Sequence, residues 1–265
     1  MINVKTIFKS IVVFAAVSQK DRFWRWIRSM RATSDIDKIV RTLVPDVPQG
    51  SFSVEELLQE IRNESRIRER VEMFNERYPE LWAWSWEKRM SGRQFSRVVF
   101  LYLLLRVLRP DVVVETGCFT GWTSTLILAA LNKNGKGHLW TIDLPARAGE
   151  RSMDLSLPAD LEPGFLVPDY LKERWTLLIG DVRDVLPKLL SELGQVDVFY
   201  HDSDHTYAHM IWEYATVWPY LRANGLIISD DIAGHTAFWD WALATKSEFV
   251  LYSSDLNFGA LRKQG

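Results

Sequence analysis

Cysteine is almost absent: Cys118 is the single one in 265 residues. One thiol excludes an internal disulfide framework and a multi-cysteine zinc site. A basic excess is missing too. The formal net charge is -2, which is not the footprint of a nucleic-acid surface, so no nucleic-acid partner is expected. No stretch has the roughly 20 apolar residues that a membrane-crossing helix takes. Ile11 to Val17 is apolar and follows Lys5 and Lys9, but it runs at once into Gln19-Lys20-Asp21-Arg22 and lacks a small-residue cleavage site. It is therefore not read as a secretion signal, and a cytoplasmic location is expected.

Tryptophan, by contrast, is plentiful, with 12 in the chain, which suits a core, pocket walls or an interface. The chain is organised around Val112-Val113-Val114-Glu115-Thr116-Gly117-Cys118-Phe119-Thr120-Gly121-Trp122-Thr123. An apolar β-branched run predicts a strand covered on both faces, followed by a tight turn and a helix start. Gly117 lets the backbone bend and Gly121 lets a ligand come close. The free N–H groups of the next helix face the same space. Glu115 at the strand end accepts hydrogen bonds from hydroxyls or an amine, and it favours a neutral or cationic ligand over a pyrophosphate.

Residues 1–90 read as a helical, irregular region with a packing, oligomer or lid role, ahead of a domain over 91–265. Phe23 to Arg31 mixes aromatics with arginines. It suits a helix packed on the main domain or on a second copy, or one making weak contact with a membrane surface. Ser53-Val54-Glu55-Glu56 is a helix start with a serine cap. The charged helix that follows, Glu55 to Met73, reads as a solvated face. Trp82, Trp84 and Trp86 alternate, as a packing strip or an aromatic platform would.

Beyond Pro110, strands and helices alternate. Strands are expected at His138–Ile142, Trp175–Ile179, Val196–Tyr200, Leu226–Ser229, Phe249–Tyr252 and Phe258–Leu261, with helices between. This predicts an α/β fold with a mostly parallel sheet and an antiparallel C-terminal strand. Ligands of such sheets bind beyond the carboxyl ends of the strands. Here nearly every strand ends in an acid: Glu115, Asp143, Asp181, Asp202, Asp230 and Asp231. Helix capping explains one or two of these. The proline-containing stretch Leu144–Arg174 reads as a lid.

Asp143, closing the second strand, is placed to hold ribose hydroxyls. The glycine spacing is not the G-x-G-x-x-G of dinucleotide enzymes, which disfavours a NAD-dependent dehydrogenase. The loop reads E-x-G-x-x-x-G. With the second-strand acid, it resembles the S-adenosylmethionine site of class I methyltransferases, a Rossmann-like fold. The resemblance implies that Glu115, Gly117 and Gly121 lie along the methionine part, Asp143 on the ribose, and Asp181 at the adenine end.

Three further carboxylates, Asp202, Asp230 and Asp231, end two strands expected to be near neighbours. Packed together they need a cation. Oxygen donors suit Mg²⁺, Mn²⁺ or Ca²⁺ better than zinc. His205 lies three residues past Asp202 and is free to face the same cavity and take a proton from a hydroxyl. Asp202-Ser203-Asp204-His205-Thr206-Tyr207, Trp218-Pro219-Tyr220-Leu221 and Gly225-Leu226-Ile227-Ile228-Ser229-Asp230-Asp231 resemble the methyltransferase 24 family. Its relatives include metal-dependent enzymes that methylate sugar hydroxyls of natural products. The resemblance implies Mg²⁺ (or Mn²⁺) on Asp202, Asp230 and Asp231, His205 as base, and a small-molecule hydroxyl acceptor. It covers the chain from about Ser91 onward.

Other residues keep two readings each. Asp204 caps the next helix or joins the site. His201 points into the sheet, His209 lines the cavity or the helix surface, and His235 contacts substrate or solvent. Trp122, Trp212, Trp239 and Trp241 are pocket walls or core. The rival functions are a non-catalytic cofactor-fold scaffold or membrane adaptor, and metal-independent methyl transfer.

Overall fold

The computed structural model describes residues 32–33, 36–48, 50–79, 86, 90, 97–144, 157–158, 160–252 and 258–265. The expectations for Ile11–Val17, Phe23–Arg31, Trp82 and Trp84, and for most of Leu144–Leu157, lie outside the described residues.

The elements in chain order are β1 (Ala32–Thr33), α1 (Ile36–Leu43), α2 (Val54–Arg62), α3 (Ser65–Arg77), α4 (Arg97–Leu108), β2 (Val112–Thr116), α5 (Trp122–Asn134) and β3 (His138–Asp143). A 3-10 turn (Asp169–Arg174) precedes β4 (Trp175–Ile179). Then come α6 (Val182–Leu193), β5 (Val196–His201), α7 (Tyr207–Val217), β6 (Leu221–Ser229), α8 (Ala237–Ala244), β7 (Glu248–Tyr252) and β8 (Phe258–Arg262). The strands lie in the order β1-β7-β8-β6-β5-β2-β3-β4. β1 with β7, β3 with β4, and β5 with β6 are parallel. β8 runs antiparallel to its neighbours β6 and β7. The α/β sheet expected from the strand–helix alternation is the sheet observed. Among the described residues no helix is long and apolar enough to cross a membrane.

The chain forms two compact units. One draws on the described residues up to Asp46, on Val112–Val114 and on Arg183–Gly265; the other on Val47–Asp111 and Glu115–Val182.

In the second unit, α4 and α5 are apolar on nearly every side and pack together, with Val99 to Leu105 and Leu126 to Leu131 buried. Gly135, in the left-handed region at φ 70°, ends α5. Asn134 ties the helix ends, donating to the Leu105 carbonyl at 2.9 Å and accepting from Arg106. The helix expected over Glu55 to Met73 is two helices, broken at Asn63-Glu64. Ser53 caps the first as expected, accepting from the Glu56 N–H at 3.3 Å. The second, α3, is not simply a solvated face. Arg70 donates twice to the Phe165 carbonyl, at 3.1 and 2.6 Å, Phe74 meets the Phe165 ring, and Arg66 lies over the Tyr170 ring.

In the first unit, β5 pairs with β6 through Val198–Leu226, Phe199–Ile227 and Tyr200–Ile228, with His201 opposite Ser229 at the end, and α7 packs on β5 and on α8, with Tyr214, Trp239 and Trp241 buried. The two tryptophans are wholly buried, so for them the core reading holds. Trp122 is buried and meets Trp86 edge-on; Trp212 is half-exposed, beneath the Arg183 guanidinium.

Candidate active site

Two groups of side chains sit at the carboxyl ends of the strands, one in each unit. The first gathers around the end of β2. Glu115 is completely buried. Its Oε2 accepts from Ser124 Oγ at 2.6 Å and Thr141 Oγ1 at 2.7 Å, and Trp175 Nε1 donates on to Thr141 at 2.9 Å. Its other oxygen, Oε1, is buried without a hydrogen-bond partner. Burial pushes the Glu115 carboxyl up to about 7, against the pull of the Ser124 and Thr141 hydroxyls.

The loop that follows needs left-handed backbone, at Gly117 (φ 84°), Phe119 (φ 47°) and Gly121 (φ 81°). Its shape is held from β3: the Gly117 N–H donates to the Ile142 carbonyl, and the Phe119 N–H to Asp143 Oδ2, both at 2.9 Å. Asp143 thus braces the loop backbone. Its carboxyl is raised by burial, which backbone N–H groups of Phe119, Cys118 and Leu144 oppose. The close approach that Gly121 permits is that of the Gly164 backbone. The Gly164 N–H donates to the Phe119 carbonyl at 2.8 Å, and the Leu166 N–H to the Thr120 carbonyl at 3.0 Å. Cys118 is a buried packing residue against Ser124 and Gly164.

Sequence reasoning missed two apolar side chains here. Leu144 follows Asp143, and Ile179 pairs with Asp143 across β3 and β4; they are 41% and 55% exposed. Exposed large aliphatics at adjacent strand ends present a surface for a flat apolar ligand group. Asp181, just beyond, is exposed. The signal was available: apolar residues flanking the acids at two strand ends.

The second group lies at the ends of β5 and β6. The Asp230 N–H donates to the His201 carbonyl, setting the two ends side by side. His205 Nε2 is 3.7 Å from Asp202 Oδ1 and 3.5 Å from Asp231 Oδ2. Asp230 Oδ1 accepts from the Asp231 N–H at 2.8 Å, and Asp231 is left-handed at φ 48°, which an aspartate tolerates better than most residues. Among the described residues, no three His, Cys, Asp or Glu side chains converge tightly enough to form a ready metal cage. Burial and the neighbouring His201 lower the pKa of His205, against the pull of Asp231, Asp204 and Glu213. Both dominant causes favour a neutral ring, the form that takes up a proton.

The remaining histidines resolve into supports. His201 is buried and its Nδ1 lies 2.5 Å from Glu213 Oε2. His209 Nε2 lies 3.0 Å from Glu213 Oε1, which also accepts from Ser203 Oγ at 2.8 Å. His235 Nδ1 accepts from the Ala237 N–H, so its Nε2 donates to the His205 carbonyl at 2.6 Å. Asp204 Oδ1 accepts from the Thr206 N–H at 3.0 Å, a turn bond just before α7. Glu213 was missed entirely; it follows His201, His205 and His209 at a regular interval of four residues, a pattern that was there to be read.

The family model described as a methyltransferase domain, that of the methyltransferase 24 family, matches residues 114–232. This span, which holds both groups, is similar to the methyltransferase domain of that family. The chain is an enzyme of the S-adenosylmethionine-dependent methyltransferase class. Among solved structures it is similar to CalS11, a calicheamicin methyltransferase, at 18% identity over 76% of this chain and 92% of that one, with a TM-score of 0.47. It is also similar to an O-methyltransferase from Bacillus cereus in complex with SAH, at 12% identity over 77% and 92%, TM-score 0.49. A third is the SAH-bound methyltransferase PaMTH1 of Podospora anserina, at 13% identity over 82% and 98%, TM-score 0.49. No curated protein matches the sequence.

Proposed function

We propose that the protein is an O-methyltransferase that moves the methyl group of S-adenosylmethionine to a hydroxyl of a small molecule, a sugar or natural-product acceptor, with His205 as the base. The observation that carries this reading is His205 Nε2 poised between the carboxylates of Asp202 and Asp231, at 3.7 and 3.5 Å. A neutral imidazole there takes the proton of an acceptor hydroxyl as the oxygen attacks the sulfonium methyl.

Glu115, Gly117, Gly121, Asp143 and Asp181 form the cofactor site in this reading. The unpartnered Glu115 Oε1 is the kind of buried acceptor that a cofactor amine or ordered water satisfies. Leu144 and Ile179 offer apolar surface to the adenine ring. The Asp143 brace keeps the loop in the conformation that receives the methionine part.

Asp202, Asp230 and Asp231 would hold Mg²⁺ (or Mn²⁺), and their all-oxygen donor set fits such a hard cation. When bound, the ion supplies positive charge that acidifies a coordinated hydroxyl. Asp202 and Asp231 also orient the His205 ring. The chain's own contribution to rate is placement of the hydroxyl and the exclusion of water. Residues 1–90 are an accessory helical region in this scheme, available for packing or self-association, and 91–265 the catalytic domain in the cytoplasm.

The test is a methyl-transfer assay on hydroxylated sugars and natural products, with cofactor binding followed by calorimetry. S-Adenosylmethionine should bind, Asp143→Ala should weaken that binding, EDTA should abolish transfer and Mg²⁺ restore it. His205→Gln should lower kcat about 10²–10⁴-fold while cofactor binding persists. Full activity in EDTA would favour metal-independent transfer. Absence of cofactor binding, with Asp143→Ala indistinguishable, would sink the reading.

A further inference from the structure

Helix α3 lies ahead of residues 114–232, the span that matches the family. It grips the segment 160–170 at three places. Arg77 and Tyr78 donate to Asp160 Oδ2 at 3.0 and 2.6 Å. Arg70 donates twice to the Phe165 carbonyl, and the Phe74 and Phe165 ring centroids are 4.8 Å apart. The Arg66 guanidinium lies 3.5 Å over the Tyr170 ring. The residues on either side of Phe165 meet the glycine loop: the Gly164 N–H donates to the Phe119 carbonyl and the Leu166 N–H to the Thr120 carbonyl. A planar trans peptide sends its N–H opposite to its C=O. The bond from Gly164 to the Phe119 carbonyl therefore sets the direction of the Thr120 N–H, which points away from Gly164. The other N–H groups of the loop are taken up inside the chain. Gly117 donates to the Ile142 carbonyl, Cys118 and Phe119 to Asp143, and Gly121 to the Cys118 carbonyl. Among the described residues the Thr120 N–H is the loop donor left without a partner.

We propose that α3 is a positioning element for the cofactor: Arg70 and Phe74 press residues 164–166 onto the glycine loop, hold the Phe119–Thr120 peptide in its orientation, and so raise the affinity for S-adenosylmethionine. The loop needs such support. Phe119 is left-handed at φ 47°, a costly conformation for a bulky residue that persists only where the surroundings impose it. Asp143 holds the Phe119 N–H and Gly164 holds its carbonyl, so releasing 164–166 removes one of the two restraints. The peptide is then free to turn, and the cofactor must reorder it on binding, which lowers affinity. Arg70 and Phe74 act through 164–166 and are positioning residues. The proposal rests on the assignment of the loop from Glu115 to Gly121 to the cofactor.

The test is calorimetric titration of the full chain with S-adenosylhomocysteine, alongside melting temperatures. Arg70→Met should weaken binding about tenfold relative to wild type. Arg70→Lys, which keeps a charged donor for the Phe165 carbonyl, should recover part of that loss. Val71→Ala is the control for mere loss of stability. Val71 is buried in the same helix, and its truncation should lower the melting temperature while leaving the affinity at the wild-type value. Where Arg70→Met does not fold, Phe74→Leu serves in its place, with a loss of about threefold expected. Wild-type affinity in the Arg70→Met protein, or in Phe74→Leu where that stands in, overturns the proposal. So does a Val71→Ala protein that loses as much affinity as Arg70→Met, since stability alone would then account for both. A wild-type protein that does not bind S-adenosylhomocysteine sinks the cofactor assignment and the proposal with it, so the wild-type titration tells the two failures apart.

Discussion

Gly121 and Gly164 meet backbone against backbone: a Cβ on Gly121 would lie 2.6 Å from the Gly164 Cα, and one on Gly164 would lie 2.3 Å from the Trp175 ring. Both residues also have positive φ. Gly164→Ala therefore combines left-handed strain with overpacking against Trp175. It should cost about 2–4 kcal/mol of stability, read as a lowered urea midpoint. A variant as stable as wild type would show that the segment at Gly164 does not seat on the glycine loop.

The buried Glu115 carboxyl makes stability fall as pH rises. Its folded pKa, about 7, stands above the ordinary 4.5, so the folded state binds the proton more tightly than the unfolded state. The favourable contribution is fully present below about pH 4.5 and is lost progressively up to about pH 7. In the unliganded protein the change should amount to about 3 kcal/mol. Glu115→Gln cannot ionise, so urea unfolding of wild type and variant should diverge across that window, with the variant gaining relative stability. Parallel curves from pH 4.5 to 8 would refute the shift.

Arg70 connects α3 to the glycine loop at one remove, since its guanidinium holds the Phe165 carbonyl while Gly164 and Leu166 bond the loop carbonyls. Arg70→Met keeps most of the side chain's volume and removes two charged hydrogen bonds. Hydrogen-exchange protection at the Leu166 amide should drop about ten- to a hundredfold. Unchanged protection would mean that the loop contacts stand without the helix.

Much of the fold was legible because it is written in short-range pattern. The run Val112–Val114, the glycine at 135 and the acids at the strand ends each declare their element locally, and β2 to β5, β7 and β8 fall within two residues of expectation, whereas β6 begins five residues earlier, at Leu221, and β1 was not expected. The spatial neighbourhood of Asp202, His205 and Asp231 was legible for the same reason, since adjacent parallel strands deliver their ends to one edge. What escaped depends on pairs distant in sequence. Nothing near Gly121 announces that Gly164 will fill the space its missing side chain leaves. Nothing near Arg70 announces a carbonyl 95 residues away. The break at Asn63-Glu64 was hidden because charged helix formers continue on both sides of it. His201 and His209 were ambiguous as single residues and became clear only with Glu213 between them.

The strand order also constrains how the chain can be assembled. β8 comes after every other described strand, yet it lies between β6 and β7, and β7 in turn carries β1. Until β8 has been synthesised, β6 has an open edge and β7 has no route into the sheet. The methyltransferase strands β2 to β6 can collapse during translation, but β1 and β7 must wait. A nascent chain halted before Phe258 would present the unpaired edge of β6, the kind of surface that recruits another strand and that chaperones shield.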